Sequence, residues 1–303
     1  MPTVLLTGGT GLIGKRLQKK LPEKGFKVIL LSSTKSKVNG VNIFSWSPEK
    51  GEINKRALAE ADFIIHLAGE NIGERKWSEE QKRKISDSRI KSTNLLFENV
   101  KESDQNLKAF ISASAIGYYG AVTSEKIFTE TDVPANDFLG TVCRKWEEAA
   151  DQFNSLHVRT VKIRTATVLS NNDGALQKML GPIKKGFGSA FGNGRQYLPW
   201  IHIDDLCDIY IKALEDETMR GPYNAVAPEH ETNKEFMHQL AKTLRKPFWM
   251  PNVPSFILKL ILGEMSDLFL KGSRVSSEKI IAKGFKFRYP LLKDALSDVL
   301  KME

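Results

Sequence analysis

Short apolar runs recur along the chain and alternate with longer stretches of mixed polarity. The runs are VLLT (4–7), KVILL (27–31), DFIIHLAG (62–69), KAFISAS (108–114), HVRTVKIRT (157–165) and PYNAVA (222–227). Because these runs are apolar on both faces, they predict strands that are buried on both sides. Such strands, separated by helices, are typical of a parallel sheet that helices cover on both faces.

Two of the intervening stretches have clear helical periodicity. Residues 204–216 begin with Asp204 and Asp205, which are good helix-capping residues. The apolar side chains that follow at helical spacing are Leu206, Ile209, Tyr210, Ala213 and Leu214. In residues 137–153, one face collects Leu139, Val142, Cys143, Trp146, Ala149, Ala150 and Phe153. The alternation of strand and helix predicts an α/β fold of the Rossmann type, a doubly wound parallel sheet of about seven strands.

The pattern changes in two later regions. Residues 171–199 are rich in loop-forming residues, with GFGSAFGNGR at 186–195, and from about residue 228 the periodicity is mostly helical. We therefore expect a Rossmann-type domain formed by residues 1–168 and about 200–227. We expect a smaller, mostly helical substrate domain formed by about 169–199 and 228–303. It would lie over the carboxyl edge of the sheet, with 186–195 as a flap.

Three spaced glycines follow the first run, in LLTGGTGLIG at residues 5–14. A strand, then Gly8, Gly11 and Gly14, then an amphipathic helix is the pattern of a dinucleotide site. The first glycine permits the tight turn, the second lets the backbone approach a diphosphate, and the third lets the helix pack on the strand. The start of the helix offers free N–H groups to the phosphates. The cofactor-binding residues predicted here are Thr7, Gly8, Thr10, Gly11, Leu12, Ile13 and Gly14.

The end of the second run indicates which dinucleotide is bound. An NAD site usually places an acid there to bind the ribose 2′-hydroxyl. Here the run ends in hydroxyl residues, and lysines follow: Ser32, Ser33, Thr34, Lys35 and Lys37. Hydroxyls and an ammonium attract a 2′-phosphate that a carboxylate would repel. We therefore predict NADP(H) rather than NAD(H), bound by Ser32, Ser33 and Lys35, with ordinary loop lysines as the alternative interpretation.

Composition and charge exclude several classes of function. The chain has 303 residues, a net charge of +9, five histidines and two cysteines, Cys143 and Cys207. The histidines are scattered, so no metal site is expected. The dense basic patches carry acids among them, and the longest apolar stretch contains Lys259, Glu264 and Asp267. We expect no nucleic-acid partner, no membrane partner and a reducing, cytoplasmic location.

Motifs along the whole length resemble the short-chain dehydrogenase/reductase superfamily in its extended, epimerase-like branch. They are TGGTGLIG (7–14), HLAG (66–69), ISASAIGYYG (111–120), VKIRT (161–165) and WIHIDDL (200–206). More narrowly, the chain resembles the atypical "epimerase family" subgroup with a C-terminal helical extension. The motifs that carry this resemblance are LAGENIGERKW (67–77), DSRIKSTNLL (87–96), CRKWEEAA (143–150), GNGRQYLPWIHIDDL (192–206) and GFKFRYPLLKDAL (284–296).

The resemblance implies a catalytic Ser and a Tyr-x-x-x-Lys pair that moves a proton while the nicotinamide moves a hydride. Aligning the strand ISAS places Ser114 at the serine position, but Leu139 and Cys143 stand where the Tyr and Lys belong. We expect Cys143 to be a small buried apolar residue. The nearest candidates for moving the proton are Tyr118 and Tyr119, which could equally be packing aromatics.

Further polar groups follow other strands. Leu67, Ala68, Gly69 and Glu70, with Asn71 and Arg75 beyond them, should face the cofactor cleft; an ordinary loop is the alternative. Arg164 ends a strand on the expected nicotinamide side, where it would bind substrate or phosphate or form a structural ion pair. Arg89 and Lys91 should lie on a solvated helix face. His202 should pack beneath a helix capped by Asp204 and Asp205.

Two hypotheses for the function follow. The first is an NADP(H)-dependent oxidoreductase or epimerase acting on a carbonyl or alcohol of unknown identity. In it Ser114 polarises the substrate oxygen, and Tyr118, Tyr119 or a water relays the proton. The second is a protein that binds NADP(H) without turnover, as a sensor or interaction module. A homodimer would use the helices expected at 78–102 and 137–153.

Overall fold

The computed structural model describes residues 1–33, 41–103, 106–171 and 174–301. The strands are β1 (Thr3–Thr7), β2 (Lys27–Ser32), β3 (Asn42–Ser47), β4 (Glu52–Ile53), β5 (Phe63–His66), β6 (Ala109–Ala115), β7 (Ile127–Phe128), β8 (Arg159–Thr165), β9 (Thr167–Leu169), β10 (Trp200–His202), β11 (Gly221–Ala225) and β12 (Arg274–Val275). The helices are α1 (Leu12–Glu23), α2 (Lys55–Ala59), α3 (Glu79–Lys101), α4 (Phe138–Asp151), α5 (Ala175–Lys184), α6 (Ile203–Glu215), α7 (Asn233–Thr243), α8 (Ser255–Leu262), α9 (Asp267–Leu270), α10 (Glu278–Ala282) and α11 (Leu292–Val299). Short 3₁₀ helices span Ile116–Tyr119, Gln152–Leu156 and Gly263–Ser266.

The central sheet has the strand order β11-β8-β6-β5-β1-β2-β3-β4. Its first seven strands pair in parallel, and the two-residue β4 pairs with β3 in the antiparallel sense. The chain runs outward from β1 to β3, then returns to β5 on the other side of β1 and runs outward again. The doubly wound fold predicted from the apolar runs is confirmed. Its strand order reverses between β1 and β5, and ligands bind at such a point in open α/β sheets.

Helices cover both faces of this sheet. On one face, Val4 and Leu6 of β1 belong to a buried cluster with Leu17 of α1 and Tyr210 of α6. On the other face, Leu5 belongs to a cluster that includes Leu96 and Phe97 of α3. Alternate residues of one strand therefore enter two different cores, which is why the run has no polar face.

Two strands of the sheet, β3 and the two-residue β4, were not among the predicted runs. Strand β3, Asn42–Ser47, reads NIFSWS, and Trp46 is its only fully buried residue. It pairs with β2 on one side and with the short β4 on the other, near the edge of the sheet. A strand in this position needs only a partly apolar sequence, so its residues do not form a continuous apolar run.

The later part of the chain is mostly helical, as predicted. Its core joins apolar side chains from α5, α7 and α11 around Trp200. The start of α6 connects this core to the Rossmann fold. Asp204 accepts a two-point ion pair from Arg16 of α1, and Asp205 accepts the backbone N–H groups of Arg288 and Tyr289. His202, not an aspartate, caps α6, because its Nδ1 accepts the N–H of Asp204 at 3.1 Å.

Candidate cofactor and active site

The glycine turn leaves no room for side chains at two positions. Gly8 has φ +67°, and a Cβ there would lie 2.9 Å from the backbone of Leu67 and Ala68. A Cβ on Gly14 would lie 2.4 Å from the carbonyl oxygen of Gly8. The turn therefore holds β1, α1 and the end of β5 in direct backbone contact, and only glycine permits this approach.

Gly11 is different, because it borders open space. The nearest atom to a Cβ built there is the carbonyl oxygen of Gly8, at 3.4 Å. Gly11 is also the N-cap of α1, and among the described residues no side chain caps that helix. The first N–H groups of α1 are thus uncapped beside a position that lacks a side chain. A diphosphate fits this arrangement, because it supplies the acceptors and the negative charge that a helix N-terminus attracts.

A buried chain of hydrogen bonds fixes the neighbouring turn after β5. The Thr7 hydroxyl accepts the N–H groups of Leu67 and Ala68 at 3.1 and 3.2 Å, and it lies 2.7 Å from Nδ1 of His66. Nε2 of His66 lies 3.0 Å from the Ser92 hydroxyl of α3. Burial and the charge of Arg89 lower the pKa of His66 to about 3, so its ring is neutral. Thr7 therefore holds the 67–68 turn in place.

Arg89 is not on a solvated helix face, contrary to the expectation from sequence. Its Nη1 donates to the carbonyl oxygens of Glu70 and Ile85 at 3.0 and 2.9 Å, and its guanidinium lies 4.9 Å from the ring centre of Trp146. Within the described ranges it forms no ion pair, and burial lowers its pKa. Arg89 thus places a buried cation beneath the turn that follows β5. The sequence did not show that Arg89 is buried, because the pattern of apolar residues in 79–101 leaves open which face of the helix packs on the sheet.

The residues expected to face the cleft after β5 have distinct environments. Gly69 is exposed, and Leu67 and Ala68 are half-buried. Glu70 directs its carboxylate toward α3, where Oε1 accepts the Gln81 amide at 3.2 Å. At the end of β2, Ser32 is half-buried and Ser33 is exposed. Lys35, the third predicted partner of a 2′-phosphate, lies outside the described residues, as do Thr34 and Lys37.

A buried polar network joins the ends of β6, β8 and β11. Glu147 of α4 accepts the Ser114 hydroxyl at 2.7 Å, and a two-point ion pair from Arg164 at 2.8 and 2.9 Å. Arg164 also donates to the Tyr119 hydroxyl at 3.0 Å, and that hydroxyl donates to Asn224 at 2.7 Å. Although burial opposes the charged form, the Glu147 carboxylate raises the pKa of Arg164. Every polar group of this network has a partner inside the protein.

The two tyrosines predicted as proton carriers have different environments in this network. Burial raises the pKa of Tyr119 to about 12, and its hydroxyl is enclosed by Arg164 and Asn224. Tyr118 is only half-buried, and the Arg164 guanidinium lies 3.4 Å from the centre of its ring. Burial also raises the pKa of Tyr118. A groove of about 420 Å³ opens beside Tyr118, between residues 130–134, α4 and β8.

Leu139 and Cys143, which align with the Tyr-x-x-x-Lys pair, lie beside Gly117, just after the end of β6. A Cβ on Gly117 would lie 3.4 Å from Leu139 and 3.6 Å from the thiol of Cys143. Burial raises the pKa of Cys143 to about 12, so it stays a thiol at neutral pH. Sequence reasoning missed Glu147, which lies one helical turn beyond Cys143. The signal was present in the spacing, because residues 139, 143 and 147 share one face of α4.

Two features are absent from the described part of the chain. No group of three or more His, Cys, Asp or Glu side chains there could hold a metal ion. No helix among those residues is long and apolar enough to cross a membrane.

Comparison with known proteins agrees with this geometry. The model of the NAD dependent epimerase/dehydratase family matches residues 4–225, and a domain of unknown function, DUF1731, matches residues 253–299. Epimerase family protein YfhF of Bacillus subtilis is 36% identical over 98% of this chain and 97% of its own. The crystal structure of human epimerase family protein SDR39U1 with NADPH has a TM-score of 0.88 at 30% identity, over 99% of this chain and 100% of that chain.

A second similar structure belongs to a longer chain. The nucleoside-diphosphate sugar epimerase of Corynebacterium glutamicum has a TM-score of 0.79 at 33% identity, over 99% of this chain and 58% of that chain. The motifs quoted above, the glycine turn at the reversal of strand order and the matches over nearly the whole of this chain all agree. This chain belongs to the NAD dependent epimerase/dehydratase family.

Proposed function

We propose that this protein is an NADP(H)-dependent oxidoreductase or epimerase that acts on a carbonyl or alcohol carbon. The observation that carries the proposal is the uncapped start of α1 beside Gly11, at the reversal of strand order. The bound cofactor would supply or accept the hydride. The glycine turn would bind its diphosphate, and Ser32, Ser33 and Lys35 would bind the 2′-phosphate. The human relative crystallised with NADPH supports the choice of NADP(H).

The preference for NADP(H) is tested at Ser33. Because Ser33 is exposed at the end of β2, Ser33→Asp adds a carboxylate without disturbing the core. Repulsion of the 2′-phosphate is expected to weaken NADPH binding by roughly tenfold or more while NADH binding changes little. Titration of both cofactors by nicotinamide fluorescence measures the two affinities, with Ser33→Asn as the uncharged control. An equal loss of affinity for NADPH and NADH in Ser33→Asp would refute the assignment of these residues to the 2′-phosphate.

The half-buried Tyr118 is the group proposed to move the proton. The phenol is protonated at neutral pH; burial raises its pKa, but the Arg164 charge beside the ring opposes that shift and would stabilise the phenolate left after donation to a carbonyl oxygen. Tyr119 and Ser114 would act as positioning residues, since their hydroxyls are already bonded to Asn224 and Glu147. Arg164, stacked on Tyr118 and paired with Glu147, would orient the ring.

Tyr118→Phe tests this role directly. Loss of one proton donor is expected to lower turnover by about 100-fold, while the affinity for NADPH stays within about twofold. Steady-state oxidation of NADPH against a panel of aldehydes and ketones gives kcat, and fluorescence titration gives the affinity. Tyr197→Phe, which removes a hydroxyl bonded to Glu125 on the surface, is the matched control. Unchanged turnover in Tyr118→Phe would assign the proton to another group.

One observation favours a protein that binds NADP(H) without turnover. The polar groups of Ser114, Glu147, Arg164 and Tyr119 bond to one another, so Tyr118 is the one candidate catalytic residue left to contact a substrate. Incubation of the NADPH complex with the carbonyl panel separates the two functions. Oxidation with any substrate supports the enzyme. No oxidation across the panel, together with tight NADPH binding, would support the binding protein.

A further inference from the structure

Two long segments of the C-terminal region contain no acidic residue. They are residues 174–203 and 236–263, and together they hold eight lysines and arginines. The net charge of the whole chain is +9, so almost all of the excess positive charge comes from these two segments. Elsewhere, acidic and basic side chains are interspersed. An uneven distribution of this kind produces a strong local field.

The two segments lie side by side in the fold. Gly188 forms a bridge with Phe248, and Phe191 forms a bridge with Val253. The N–H of Val253 donates to the carbonyl oxygen of Ala190 at 2.8 Å. The end of α5, residues 186–191 and the residues that lead into α8 therefore form one continuous surface. The flap expected at 186–195 is part of it.

The cations of this surface are exposed and unpaired. Five exposed cations lie on it: Lys184, Lys185, Arg245, Lys246 and Lys259. None of the five forms an ion pair with any part of the chain that the structure describes. On the Rossmann side, by contrast, Lys20, Lys27 and Lys82 each contact a carboxylate. The charge of the surface is thus left for a partner to neutralise.

Large apolar side chains are exposed among these cations. Phe187, Trp249, Phe256, Leu260 and Ile261 are 53%, 68%, 69%, 80% and 55% exposed. Three of them belong to α8, whose sequence is SFILKLIL and which has no fully buried residue. The end of α8 is anchored through Leu262, which packs against a small core with Trp77 and Leu139. We call these five side chains and the five cations the basic-apolar surface.

We propose that the basic-apolar surface docks the protein on an anionic lipid bilayer. The aromatic and aliphatic side chains would enter the boundary between headgroups and acyl chains, and the cations would contact the headgroup phosphates. Two copies of this chain would bring like charges together, and a nucleic acid would leave the apolar side chains in water. The expectation of no membrane partner rests on the length of a spanning segment, and a helix that lies on a surface needs no such length.

Sedimentation with lipid vesicles tests the proposal on the full chain. Neutral vesicles contain phosphatidylcholine alone, and anionic vesicles contain about three parts in ten of phosphatidylglycerol. At ~0.1 M salt we expect at least ~tenfold stronger binding to the anionic vesicles, and a marked loss at ~0.5 M salt. Equal binding to both vesicles, or none to either, would overturn the proposal.

Two sets of variants assign the binding to this surface. The combined changes Lys184→Gln, Lys185→Gln, Arg245→Gln and Lys246→Gln are expected to lower anionic vesicle binding by at least ~tenfold. The matched control changes four exposed lysines elsewhere to Gln: Lys24, Lys50, Lys101 and Lys145. Phe256→Ser with Leu260→Ser tests the apolar part and is expected to lower binding by a similar factor. A loss in the control as large as in the first set would reduce the effect to net charge and overturn the assignment.

The fluorescence of Trp249 gives an independent readout. It is the one exposed tryptophan of the five in the chain, because Trp46, Trp77, Trp146 and Trp200 are buried. A blue shift on adding anionic vesicles is expected, and it should be absent in Trp249→Phe. Two further results would overturn the proposal: tighter binding to duplex DNA than to anionic vesicles, or a dimer in sedimentation equilibrium that buries Trp249 without lipid.

Discussion

Gly11→Asp is expected to weaken NADPH binding by at least about 100-fold without unfolding the protein. A negative charge about 4 Å from a phosphate opposes binding by about 4 kcal/mol at a protein surface. A 100-fold loss of affinity requires only about 2.8 kcal/mol. The fold should survive, because a Cβ at Gly11 meets only the Gly8 carbonyl oxygen, at 3.4 Å, and aspartate is a favourable N-cap. Fluorescence titration measures the affinity, and thermal unfolding without ligand measures the stability.

Gly11→Asn is the control for this variant. Asparagine caps a helix about as well as aspartate and has nearly the same size, but it carries no charge. We expect it to bind NADPH more tightly than Gly11→Asp by about tenfold or more, at equal thermal stability. If both variants bind NADPH as the unaltered chain does, the start of α1 does not hold the diphosphate.

Glu147→Gln is expected to lower the free energy of unfolding by about 3–5 kcal/mol. The change removes the charge that balances Arg164, whose side chain is 2% exposed, and leaves a buried cation unpaired. Ser114 keeps an acceptor of similar shape in the glutamine amide, so the loss reports the ion pair. Urea unfolding followed by far-UV circular dichroism gives the free energy and its dependence on denaturant.

The adjacent residue provides the comparison. Glu148 pairs with Arg144 at 2.7 Å on the same helix, but these side chains are 58% and 44% exposed. Because exposed pairs contribute little, Glu148→Gln is expected to change the free energy of unfolding by less than about 0.5 kcal/mol. Similar losses in Glu147→Gln and Glu148→Gln would mean that burial of the Arg164 pair is not what stabilises this part of the fold.

The sheet was predictable from sequence because each of its buried strands is a local apolar run. The pattern at residues 27–31, for example, needs no knowledge of its neighbours to indicate a strand buried on both faces. Strand β3 failed the same test because, near the edge, it buries only Trp46 fully. The helices were equally local, although the cap of α6 moved to His202, whose ring nitrogen accepts the bond expected of an aspartate.

The site divides in the same way. The glycine turn is a motif of consecutive residues, so its geometry follows from the sequence. The Glu147 network does not, because it joins groups from separate elements: Tyr119 and Asn224 are brought together only by the pairing of β11 with β8. The position of Arg89 under Glu70 was equally unpredictable from sequence, since it depends on how α3 is rotated against the sheet.

The pairing of distant strands also sets the order in which the parts of the site can fold during synthesis. Asn224 of β11 donates to the backbone carbonyl of Ser276, and β7, which follows Tyr119 in the chain, pairs with β12 at Arg274–Val275. While the chain is being synthesised, the glycine turn can form early, from residues at the start of the sheet. The surroundings of Tyr118 and Tyr119 must wait until the strand at Arg274–Val275 has left the exit tunnel.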